Sequence, residues 1–278
     1  MLDRRQIRRV VENALDEDAP HGDLTSEVFV PAEAVATADL VAREPGVFAG
    51  AEVFEVAMTT LDPGLDVTLL VADGELFGAG TPLATVRGNA RAVLRGERIA
   101  LNLVQRMCGI ATVTAAYVAA AGPGVRVADT RKTTPGLRAL ERHAVRCGGG
   151  HNHRFSLSDA VMAKDNHLAL VEDVTAAIRA ARARLPHTTH LEVEVDRLDQ
   201  IEPVLAGGVD TIMLDNFDLE DLRRGVEVVA GRALVEASGG VSLETIGAIA
   251  GTGVDVISVG ALTHSVRNLD LGLDVRLS

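Results

Sequence analysis

Tryptophan is absent from the 278 residues, aromatic residues amount to 3%, and there are only two cysteines and two lysines. Each scarcity removes a class of function. With so few rings and a formal charge of −12, the chain lacks the basic stripe and the stacking surface that nucleic-acid binding uses. Cys108 and Cys147 stand 39 residues apart with no further cysteine to pair with either. Neither a disulfide framework nor a structural zinc site is therefore indicated, and both read as small core residues or bystanders. Charges interrupt the apolar runs well short of the roughly 20 residues of a membrane helix. The N-terminal stretch MLDRRQIRRVVENALDED has no signal-type apolar segment, so a cytoplasmic location is expected.

What is present describes a globular chain. Hydrophobic residues make up 47% and charged residues 24%, with 27 glycines and 9 prolines dispersed along the sequence, which excludes collagen-like, disordered and coiled-coil classes. The length fits two domains, or one barrel with an addition.

The charge is unevenly placed. Arg126, Arg131, Lys132, Arg138, Arg142, Arg146 and Arg154 face only Asp129 and Glu141 in the same stretch, so this segment is cationic within an acidic protein. That is the pattern of a locus reserved for an anion, although a solvated helix face gives the same count. Of the 27 basic residues only Lys132 and Lys164 are lysines. Arginine and lysine are not interchangeable where an anion is met as a point charge, so both lysines mark chemistry.

Periodicity divides the chain near residue 108. An opening helix places Leu2, Ile7, Val10, Val11, Ala14 and Leu15 on one face. Residues 35–90 carry strand and turn signals, with a turn at Asp73-Gly74, and predict a small antiparallel α+β module. Its DGELFGAGTPLATV segment has the look of a lipoyl or biotinyl carrier hairpin, but no lysine precedes Lys132 to be modified. Residues 90–121 predict a long bridging helix with Gly96 and Gly109 as possible breaks. From Val125 onward VRVADT, AVMAKD, HLEVEVD, DTIMLDN, ALVEAS and VDVISVG alternate with helix-like spacers. Such alternation means parallel strands with right-handed crossovers. No G-x-G-x-x-G or Walker A sequence occurs, which disfavours nucleotide-binding sheets. The expected fold is α/β: an incomplete, about six-stranded parallel barrel over residues 109–266, with an N-terminal α+β sandwich over 1–108 joined by 267–278.

In such a barrel the C-terminal strand ends converge on one mouth. That mouth would gather Asp129 to Lys132, Lys164-Asp165, Glu194 and Asp196, Asp215-Asn216, Ser238 and the segment Gly260 to His264. Glu192 and Glu194 alternate with valines, so both lie on one side of their strand, inward or outward. The inventory is a cationic half (Arg131, Lys132, His153, Arg154, Lys164) and an acidic half (Glu194, Asp215). The acids suit Mg²⁺ held together with substrate phosphates. Ser238-Gly239-Gly240 before a helix expected at Ser242 offers backbone N–H groups to a phosphate, as does Gly260. No Ser-His-Asp arrangement is present, Cys147 has no evident base, and His143 and His151 read as supports of the loop.

These residues carry a resemblance. DTRKTTPGLRALERHAVRCGGGHNHR, AKDNH, LEVEVD, IMLDNF, EASGG and VGALTHS, with GDLTSE and LNL earlier, resemble the signature blocks of the quinolinate phosphoribosyltransferases over essentially the whole chain. The resemblance implies transfer of phosphoribosyl from 5-phosphoribosyl-1-diphosphate to quinolinate with decarboxylation, in de novo NAD synthesis, with Mg²⁺. It implies that Arg131, His153, Arg154 and Arg98 hold the quinolinate carboxylates, Arg98 being lent by the partner subunit of a homodimer. Lys132 and Lys164 would meet the substrate carboxylate and the donor. Glu194 and Asp215 would lie near the ribose hydroxyls and the metal, and Ser238, Gly239, Gly260 and His264 would grip the 5-phosphate. Three alternatives are distinguishable: a Schiff-base aldolase using Lys164, the related pyrophosphorylase branch associated with molybdate transport, and a non-catalytic anion-binding module.

Overall fold

The computed structural model describes residues 2–277. Two compact units emerge. The first comprises the chain up to Ala115, the segment Thr133–Gly149, and the chain from Leu262 onward; the second comprises Ala116–Lys132 and Gly150–Ala261. The chain thus crosses between units more often than a single division near residue 108 anticipates.

The first unit is built on an antiparallel sheet of β1 (Val35–Ala42), β5 (Pro82–Asn89), β3 (Asp66–Leu69) and β12 (Leu271–Leu277), in the order β12-β1-β5-β3. A two-stranded ribbon pairs β2 (Gly46–Val47) with β4 (Leu76–Phe77). Along β1 Ala36, Ala38, Leu40 and Ala42 are buried while the alternate residues are not, the period-two pattern of a sheet covered on one face. The opening helix spans Arg4–Asp18; Asp3 accepts from the N–H of Arg5 at its start, and Ile7 and Val11 are fully buried.

The helix Ala90–Ala121 runs unbroken for 32 residues. Gly96 and Gly109 do not break it; they let it approach its neighbours. A Cβ on Gly109 would lie 2.3 Å from the carbonyl oxygen of Arg267, and one on Gly96 would lie 2.9 Å from Leu61. This helix also meets the length and hydropathy of a membrane span, contrary to the sequence expectation. Because 61% of its apolar window is buried inside the protein, it is accounted for as a core helix.

The second unit holds a six-stranded parallel sheet: β6 (Arg126–Ala128), β7 (Val161–Ala163), β8 (Leu191–Val195), β9 (Thr211–Asp215), β10 (Leu234–Ser238) and β11 (Val256–Ser258), ordered β6-β11-β10-β9-β8-β7. Chain neighbours pair from β7 to β11, and β11 returns to β6, so the sheet is a barrel with one open seam between β6 and β7. A single parallel bridge, Ala128 to His151, edges that seam. The N–H of His151 donates to Val127 and the N–H of Asp129 donates to His151. The sequence showed all six of these strands as short runs between helix-like spacers, whereas the one-residue bridge has no sequence signal of its own.

Candidate active site

Strand alternation decides which side chains face inward. Met162, Glu194, Met213, Asp215, Ser238 and Ser258 come from the same-facing positions of β7 to β11, and all line one cavity of about 540 Å³ in the second unit. Thr130, Arg131 and Lys132 follow β6, His153 and Arg154 follow the seam bridge, and Lys164 follows β7; these line it as well, with Gly239 and Gly240 beyond β10. A second cavity, of about 810 Å³, shares Glu194, Asp215 and Asn216 with the first and adds Asp165, Asp196 and Asp199. The two acids predicted for one half of the site thus form the rim between a cationic lobe and an acidic lobe.

Of the remaining expected site residues, Gly260 follows β11 but lines neither cavity, while Arg98 and His264 are exposed members of the first unit. The helix expected at Ser242 begins only at Ile246, with the N–H of Ile246 donating to Ser242. Residues Ser242 to Thr245 form a hydroxyl-bonded turn instead, in which the N–H of Ser242 donates to Thr245 Oγ1. The cavity is therefore met by the glycine turn itself, not by a helix N-terminus.

Two buried carboxyl systems shape the cationic lobe. Asp129, fully buried at the end of β6, accepts from Asn152 Nδ2 (2.6 Å) and from the N–H of His153 (2.8 Å). It pins the Asn152 to Arg154 segment that the seam bridge delivers. His153 then sits with Nδ1 accepting from the N–H of Arg154 at 2.7 Å and Nε2 lying 3.1 Å from Glu192 and 3.5 Å from Glu236. Both ring nitrogens are engaged, so the imidazole braces Arg154 in addition to lining the cavity. Glu192 thus resolves the question left by its alternation with Glu194: both point inward. Glu236 was not singled out by the sequence, though it shares strand parity with Ser238, and that parity was the available signal.

Burial opposes a charge on His153, but the hydrogen bond to Glu192 and the charges of Glu236, Glu192 and Asp129 outweigh it and raise its pKa. Burial, with the charge of Glu192 beside it, pushes Glu236 from its ordinary 4.5 up to about 7. The folded protein therefore binds a proton on Glu236 where the unfolded chain has already lost it. Stability supplied by this group is fully present below pH 4.5 and declines as pH rises toward 7. Glu236→Gln should flatten that decline, read as the pH dependence of the unfolding midpoint; an unchanged slope would assign the decline to other groups.

The cations are crowded. Burial and the neighbouring charge of Arg131 together lower the pKa of Arg154, a strain that a bound polyanion relieves. Lys164 Nζ donates to Glu194 Oε2, while Asp215 accepts from Asn216 Nδ2 at 2.7 Å. Asn216 itself is left-handed at φ 58°, a conformation that asparagine tolerates better than most residues, and it faces Gly239 at φ 95°. Glu194 and Asp215 are hard oxygen donors at a partly open rim. They fit Mg²⁺, which takes one or two protein carboxylates and completes its shell with phosphate and water.

Comparison with known proteins agrees over the full length. Residues 23–108 match the family described as quinolinate phosphoribosyl transferase, N-terminal domain, and residues 110–274 its C-terminal domain. A nicotinate-nucleotide pyrophosphorylase [carboxylating] of Mycobacterium leprae is 48% identical, with 96% of each chain covered. A probable enzyme of the same name from Bacillus subtilis is 41% identical over 100% of this chain and 96% of its own. The crystal structure of NadC from Streptococcus pyogenes superposes with a TM-score of 0.96 at 41% identity, covering 100% of this chain and 99% of that one.

Proposed function

The chain belongs to the quinolinate phosphoribosyltransferase family, and we propose that it joins quinolinate to 5-phosphoribosyl-1-diphosphate with loss of CO₂, giving nicotinate mononucleotide and diphosphate for NAD biosynthesis. The observation that carries this reading is the rim of Glu194 and Asp215 between a lobe of five cationic or imidazole side chains and an acidic lobe. A dicarboxylate and a sugar diphosphate need that juxtaposition of anion sites and oxygen donors.

In this reading Arg131 and Arg154, braced by His153, hold the carboxylates of quinolinate, with Lys132 beside them. Lys164 is held as an ion-pair partner of Glu194 and faces the donor; this pairing disfavours a Schiff-base role, which needs a free amine. The ring nitrogen attacks the anomeric carbon as the diphosphate oxygen departs. Positive charge develops on the ribose, where Glu194 and Asp215 stabilise it, and negative charge accumulates on the leaving group, where the lysines do. With the ring nitrogen alkylated, its positive charge stabilises the electron pair left on the adjacent ring carbon as the carboxylate departs as CO₂, and a proton taken up from solvent on that carbon completes nicotinate mononucleotide. Glu194 and Asp215 would hold Mg²⁺ together with the substrate phosphates, and the bound metal would supply charge neutralisation of the diphosphate. Ser238 and Gly239 receive the 5-phosphate, with Gly260 after β11 assigned to the same group.

The proposal includes a homodimer in which Arg98 serves the partner's site, and a cytoplasmic location. Leu24, Val28 and Phe29 on the helix Leu24–Phe29 are 76%, 76% and 80% exposed, an apolar patch of the kind that subunit contact covers. Sedimentation of the full chain tests the assembly, and a monomer at micromolar concentration would sink it.

The deciding assay follows nicotinate mononucleotide and CO₂ from quinolinate, the phosphoribosyl donor and Mg²⁺, with nicotinate as the parallel substrate. Product from quinolinate alone is expected. Chelation should abolish turnover and added Mg²⁺ restore it; turnover that survives chelation would remove the metal from the proposal.

A further inference from the structure

Asp73, His143 and Cys147 belong to the first unit and take no part in the cavities described above. His143 and Cys147 are four residues apart on the helix Arg138–Cys147, one turn, so their side chains share a face. Asp73 comes from the turn between β3 and β4. Its Oδ1 accepts from the backbone N–H groups of Gly50 (2.8 Å) and Ala51 (2.9 Å), which turns Oδ2 toward His143 Nε2 at 2.6 Å. One donor atom from each of the three residues lies within 4.8 Å of the other two. The side chains of His143 and Asp73 keep 27% and 24% of their surface exposed, so the cluster is open on one side.

Sulfur, imidazole nitrogen and carboxylate oxygen, three protein donors with one side open, are the set that zinc accepts with water as a fourth ligand. We propose that Asp73, His143 and Cys147 form a binding site for a zinc-class divalent cation. The two backbone amides on Oδ1 act as the outer shell that orients the carboxylate, as second-shell partners do in metal sites. Burial, and then the charge of Asp73, hold the Cys147 thiol protonated with its pKa pushed up to about 12, so the group is no nucleophile. When the cation binds, the thiol proton leaves to solvent, the sulfur–metal bond forms, and the metal takes the place of the His143–Asp73 hydrogen bond. No spacing along the chain marks this cluster, because Asp73 lies 70 residues from His143.

The test uses the full-length protein stripped of metal by a chelator and titrated with Co²⁺. One equivalent should bind with a near-ultraviolet thiolate-to-cobalt absorption that Zn²⁺ displaces and Mg²⁺ does not. Cys147→Ser should abolish that absorption, the other thiol, Cys108, being fully buried. His143→Gln, which leaves the Asp73 contacts to Gly50 and Ala51 intact, should weaken Co²⁺ binding by more than about tenfold. Unfolding midpoints of the metal-free variants verify that both are folded. Wild-type protein without the absorption, an absorption that survives Cys147→Ser, or unchanged affinity in His143→Gln would each overturn the proposal.

Discussion

Lys132→Ala should lower turnover by more than about tenfold while leaving the unfolding midpoint where it is. Lys132 is exposed at the surface of the cationic lobe, so its loss opens no hole in the core. The effect must come from the substrates, whose charges lose a point-charge partner worth about 1.5–3 kcal/mol when it donates to an anion. Both kcat and kcat/KM should fall, because charge on the leaving diphosphate is greatest in the transition state. Lys132→Arg keeps the charge but replaces a compact ammonium with a planar fork, and should recover only part of the loss. Initial rates with quinolinate and donor varied in turn decide the matter. Near-normal rates for the alanine variant would take Lys132 out of the site.

Gly239→Ala should be comparably severe, for a steric reason. Gly239 has φ 95°, where an L side chain is strained, and a Cβ there would fall 2.2 Å from Asn216 Oδ1 and 2.9 Å from the Asn216 backbone nitrogen. The side-chain atom can swing away; the backbone nitrogen, which donates to Ser238, cannot. Strain of about 1–3 kcal/mol then displaces the turns after β9 and β10 together, carrying Asp215 and Ser238 with them. Turnover should fall by at least about tenfold and the unfolding midpoint should drop, as measured by steady-state assay and thermal denaturation. A variant with wild-type values in both would mean that the turn relaxes without disturbing either residue.

Much of the second unit was legible because its strands announce themselves. LEVEV, TIMLD and LVEAS are short, valine- and leucine-rich runs bounded by helix-like spacers, and the polar residues at or next to their ends, Glu194, Asp215 and Ser238, mark the mouth. What was hidden is non-local. The bridge at His151 exists only because Val127 and Asp129 lie beside it, and the inward direction of Glu192 is fixed only when His153 and Glu236 close around it. Gly96 and Gly109 read as helix breaks because propensity sees the missing side chain and not the neighbour that requires it to be missing. The helix misplaced at Ser242 failed locally: the Ser242 and Thr245 hydroxyls satisfy the turn and delay the helix to Ile246.

The pairing of β1 with both β5 and β12 bears on how the protein is made. β1 is among the first strands to leave the ribosome, and its outer partner, Leu271–Leu277, is among the last. All six strands of the barrel are synthesised in between. The early sheet must therefore carry an open edge, able to pair with another nascent chain, throughout elongation. A contiguous fragment covering the first 108 residues would keep that open edge permanently, so cutting the chain at the family boundary should yield an aggregating piece in place of a domain.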